Sequence, residues 1–67
     1  MRESKNKKFA KQNVEYIKGN LINYTLFEVK ILKKGLRQEI VATDDKSIRD
    51  VLASGYKILS RRYNELL

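Results

Sequence analysis

The 67-residue chain contains no cysteine and no histidine. Without cysteine there is no disulfide framework and no thiolate metal site. Without histidine, the commonest zinc ligand and the commonest general base at neutral pH are both missing. Long apolar runs are missing too. Nothing approaches the 18 or more residues of a membrane span, and Met1-Arg2-Glu3-Ser4-Lys5 leads into no apolar leader core. A cytoplasmic protein with no membrane partner is therefore expected.

Catalytic constellations are equally scarce. There is no glycine-rich phosphate loop, and the only close carboxylate pair is Asp44-Asp45. That pair stands where a helix begins, so capping accounts for it better than a divalent cation does. Ser47, Ser54 and Ser60 have no base to activate them. The expectation is a non-enzyme with no cofactor, no metal and no small-molecule substrate.

What the chain does have is positive charge, a formal +7 from 15 Lys and Arg against 8 Asp and Glu. Such an excess on a small protein points to a polyanionic partner. It is unevenly spread. Residues 1–12 hold Arg2, Lys5, Lys7, Lys8 and Lys11 against Glu3 alone. With one aromatic and little else to bury, this segment reads as a flexible basic arm. A short first helix through Lys5–Tyr16 is the alternative.

Residues 13–67 read as one small β-β-β-α domain, an α+β fold in which a three-stranded antiparallel sheet is packed by a C-terminal helix. Gly19-Asn20 is a hairpin candidate, and Gly35 suits a second turn. Between them lie Tyr24, Thr25, Phe27, Val29 and Ile31, types favoured in strands. Phe27, Val29 and Ile31 share one face of such a strand, continued across the ladder by Leu36, Gln38, Ile40 and Ala42. The opposite face bears Ile22, Tyr24, Leu26 and Val41, too apolar to be left in water. Tyr24, Leu26 and Val41, with Arg62 from the helix, form the predicted partner interface. Small size and this two-sided patterning favour a homodimer.

The last segment is the clearest helix. Asp44, Asp45 and Ser47 offer N-cap oxygens, and Ser47 with Asp50 fits a capping box. From Ile48 to Leu66 the apolar residues fall on an arc of roughly 160°. Gly55 lies within that arc, which predicts a close approach to a strand or another helix. Arg62 lies near its edge, where it snorkels to water or reaches a partner's carboxylate.

Four basic surfaces are candidates for nucleic-acid contact. They are the arm; a hairpin tip with Lys33, Lys34 and Arg37; the sheet face with Tyr24, Lys30 and Arg37; and the helix positions Lys57 and Arg61. In general shape, Tyr24 through Val41 into Asp45-Lys46-Ser47 resembles the arm-type DNA-binding domains of mobile-element integrases. It also resembles the second half of double-stranded-RNA-binding domains. This is an architectural analogy that assigns membership of neither family. The functional expectation is a small nucleic-acid-binding protein, DNA ahead of RNA, acting as a regulator or accessory factor of a phage or mobile element. The alternative is a protein-interaction module that binds a larger protein through an apolar sheet face.

Overall fold

The computed structural model describes residues 5–67, with Lys5 described by its backbone alone. It overturns the α+β expectation. Three helices follow one another, α1 (Lys5–Asn20), α2 (Leu26–Ala42) and α3 (Lys46–Leu66), with a short 3-10 turn at Leu21–Asn23 between the first two. Among the described residues there is no strand. The integrase-like and RNA-binding-like analogy falls with the sheet.

The reason lies in two periods that the same residues satisfy. Phe27, Val29 and Ile31 alternate as a strand would. Val29, Leu32, Leu36 and Ile40, however, recur at three- and four-residue steps and mark one helical stripe. Burial decides between them: Val29 is fully buried, while Phe27 is 70% and Ile31 53% exposed. Leu32, Leu36 and Ile40 all belong to the core or pack against it. The rest of α2 is dominated by Leu, Lys, Glu, Gln and Arg, which lose little freedom in a helix.

The start of α2 is fixed by a capping box. Thr25 Oγ1 accepts from the Glu28 backbone N–H at 3.1 Å, and Glu28 Oε1 accepts from the Thr25 N–H at 3.0 Å. Thr-x-x-Glu before an apolar stripe is a legible helix signal, and it opposes the β-propensity of the residues around it. Neither expected hairpin turn forms. Gly19 lies in α1 and Gly35 inside α2, and no described glycine has a positive φ.

For the basic segment the structure has the helical alternative in place of the arm over its described residues. From Lys5 onward it is the first part of α1, with Ala10, Val14 and Ile17 buried at helical spacing. Arg2 lies outside the described residues.

Helix α3 occupies the expected segment, and of the three candidate caps the structure uses Asp45 while the Ser47-Asp50 capping box does not form. Asp45 is the N-cap, its Oδ1 accepting from the backbone N–H of Ser47 (2.8 Å) and of Ile48 (3.3 Å) and from the Ser47 hydroxyl (2.7 Å). Ser47 therefore donates instead of capping. Asp50, expected to complete a capping box with Ser47, instead takes Lys46 Nζ at 3.3 Å.

α3 is the element on which the other two pack, while α1 and α2 touch each other marginally at most. Ile17, Val29 and Leu59, one from each helix, are the largest fully buried side chains. Gly55 shows how tight this junction is. A Cβ there would lie 3.0 Å from Val14 Cγ2 and 3.2 Å from Leu36 Cδ1. The close approach expected at Gly55 is thus made to two helices at once, with no strand involved.

The cap of α3 gives a pH dependence whose sign is fixed. The hydrogen bond from the Ser47 hydroxyl, then that from the Ile48 N–H, with the Ser47 N–H and the Lys7 charge adding to them, hold the Asp45 carboxyl below the usual carboxylate range. All favour the ionised form in the folded state. Their stabilisation is present above the unfolded value, about 3.9, and is lost as pH falls through the lower folded value. An Asn at this position caps comparably without titrating. Asp45→Asn is therefore expected to show a shallower fall in melting temperature between about pH 5 and pH 2. Parallel curves for the two proteins in a thermal-melt series would contradict this.

Candidate nucleic-acid interface

Helix α2 sorts its charges by face. Lys30, Lys33, Lys34 and Arg37 stand at i, i+3, i+4 and i+7, which places all four within an arc of about 100° and a length of about 10 Å. Glu28 and Glu39 project from roughly the opposite side. The cationic stripe borders the buried stripe, and this adjacency brings it against α3.

The contact with α3 is aromatic. Lys33 Nζ stands over the Tyr63 ring, 4.6 Å from its centroid, and 5.6 Å from that of Tyr56. Both distances lie within the roughly 6 Å at which a ring face attracts a cation. Lys30, Lys33, Lys34 and Arg37 on one side, with Tyr56 and Tyr63 on the other, enclose a cleft of about 270 Å³. Lys33 and both tyrosines are half-buried, whereas Lys30, Lys34 and Arg37 are exposed. Among the described residues those three make no hydrogen bond or ion pair, so their charged ends are open to a ligand.

The structure thus joins the residues of two separately predicted surfaces, the hairpin tip and the sheet face, into one helical stripe. It removes Tyr24 from that group. Tyr24 precedes α2, is half-buried and packs against the core. The remaining predicted cations lie elsewhere. Lys57 and Arg61 are exposed on α3, about 100° and 140° round the helix from Tyr56. Lys7, Lys8 and Lys11 lie on α1. Lys11 lines a different groove, between α1 and α3, together with Lys18 and Val51. The side chain of Lys5, like all of Arg2, is outside what the structure describes.

The predicted partner face does not assemble either. Leu26 and Val41 sit at opposite ends of α2, about 22 Å apart along its axis. Arg62 is half-buried, and its Nε is buried with no hydrogen-bond partner among the described residues.

A wider groove, about 800 Å³, separates the start of α1 from the end of α2 and the start of α3. Glu39, Asp44 and Asp45 line it beside Phe9, Ile48 and Leu52. Three carboxylates make it hostile to a polyanion. Charge therefore sets this groove apart from the cationic α2/α3 cleft.

Sequence reasoning missed Tyr56 and Tyr63 because both fall in the apolar arc of α3 and count there as core. The available signal was their seven-residue spacing at the edge of that arc, where a tyrosine can bury its ring and still show a face to solvent. Comparison with known proteins finds no family whose profile matches the chain, no similar curated protein and no similar solved structure. No helix of the described residues is long and apolar enough to cross a membrane.

Proposed function

We infer that the protein binds nucleic acid, with the α2/α3 face as its contact surface. One observation carries this reading: four cations on a single stripe, at i, i+3, i+4 and i+7, with the acids of α2 on the other side. Such a stripe concentrates positive potential along about 10 Å of surface. A phosphate backbone is the polyanion whose regularly spaced charges suit it, and binding releases condensed counterions. The chain's net charge of +7 supports the same reading by drawing the polymer in from a distance.

The experiment is a salt titration with short single- and double-stranded oligonucleotides. Four phosphate contacts give a log–log slope near −3.6 on duplex, from about −0.9 per contact, and near −2.8 on single strands, from about −0.7. Absence of binding to either form at about 50 mM salt would sink the reading.

The runner-up, an interaction module for a larger protein, has the exposed pair Phe27 and Ile31 in its favour. They are i,i+4 neighbours on α2, with 70% and 53% of their surfaces in water. An apolar contact of that kind is nearly insensitive to salt, so a titration on a captured partner would separate the two readings.

A further inference from the structure

We propose that the α2/α3 cleft takes an unpaired nucleotide: a base stacks on Tyr56 or Tyr63, while Lys30, Lys34 and Arg37 hold the adjoining phosphates. This rests on the nucleic-acid reading above and narrows it from nucleic acid in general to single strands.

Three features support the narrowing. The first is which part of each ring is presented. Lys33 Nζ lies over both rings, so it is their faces that meet the cationic side of the cleft. A ring face is a stacking platform for any base, and it serves only a base whose own face is free. In a duplex both faces of each base are covered by its neighbours.

The second feature is size. At about 270 Å³ the cleft falls just under the roughly 300 Å³ at which pockets for drug-sized ligands begin. That is a volume on the scale of a single nucleotide rather than of a larger ligand. The third is the division of labour among the cations. Lys33 is half-buried against the tyrosines, whereas Lys30, Lys34 and Arg37 are exposed along the rim. A base entering the cleft takes the place of the Lys33 ammonium on one ring, and that ammonium is left beside the incoming phosphate. The ring's partner changes from cation to base while the positive charge stays in the site.

The test uses the full chain with a short oligothymidylate, a short oligouridylate and a duplex of matching length. Binding is followed by anisotropy of a labelled strand. The parent protein is expected to bind the single strands at least about tenfold more tightly than the duplex, the size of one stacked base. Tyr56→Leu with Tyr63→Leu should cost the single strands about tenfold or more and the duplex markedly less, so that the preference for single strands is lost. Tyr56→Phe with Tyr63→Phe keeps both ring faces and should restore single-strand binding. Intrinsic emission supplies a readout that needs no change in the cleft. The chain has no tryptophan and four tyrosines, so in a Tyr16→Phe, Tyr24→Phe protein only Tyr56 and Tyr63 emit. Single strands should quench that emission and duplex should not. Equal affinity for single strand and duplex with no quenching would overturn the cleft assignment while leaving nucleic-acid binding intact. Failure to bind any of the three polymers would remove both.

Discussion

Truncating Leu59 to Ala is expected to lower the melting temperature by at least about 10 °C, and at the upper end of the range to leave the chain unfolded at room temperature. Leu59 is fully buried and belongs to the helix on which both others pack. Losing its side chain forfeits the transfer energy of three carbons and opens a void, together about 2–5 kcal/mol. A chain of 67 residues has only about 3–10 kcal/mol of net stability to set against that loss. Phe27→Ala makes the contrast. Phe27 is the larger residue, yet with 70% of its surface in water its removal should cost no more than about 0.5 kcal/mol. Thermal melts followed by circular dichroism decide the matter. A large loss at Phe27 together with a small one at Leu59 would contradict this packing.

Reversing Lys30, Lys34 and Arg37 to Glu together is the largest functional change expected. If each cation holds one phosphate, the salt slope flattens by about three units. Affinity at low salt should then fall roughly 100- to 1,000-fold, taking a factor of about ten, or 1.4 kcal/mol, for each contact. All three side chains are exposed, so the fold should survive, and a melting curve checks that it does. The same number of reversals on α1, at Lys7, Lys8 and Lys11, keeps the net charge of the two variants equal. Lys30, Lys34 and Arg37 fall within about 60° of α2 and line the cleft with Tyr56 and Tyr63, whereas Lys7, Lys8 and Lys11 spread over about 100° of α1 and do not line it, so these three should matter less. Equal losses from the two triple variants would mean that binding follows net charge, with no part for the α2 face.

The contrast between α2 and α3 shows what a sequence of this kind can carry. α3 was legible because its apolar arc is long and agrees with only one period, and because acidic side chains mark its start. The detail of the cap was less so: Asp44, Asp45 and Ser47 are equivalent candidates until the backbone is placed, and Asp45 takes the role. α2 was ambiguous. Val29, Ile31, Ile40 and Val41 suit a strand locally, and Gly35 suits a turn. The Thr25-Glu28 capping box was the one local signal that contradicted both.

By itself the sequence determined the positive charge, the lack of cysteine and histidine chemistry, and a C-terminal amphipathic helix beginning beside Asp45. Tertiary structure alone decided that residues 26–42 are a helix and that Lys30, Lys33, Lys34 and Arg37 stand together. It also turned two apparent core tyrosines into the far wall of their cleft. The physical reason is that a segment compatible with two periods is resolved by what it packs against. The broad apolar arc of α3 needs covering on two flanks. Two helices that bring Ile17 and Val29 to the core beside Leu59 supply that cover.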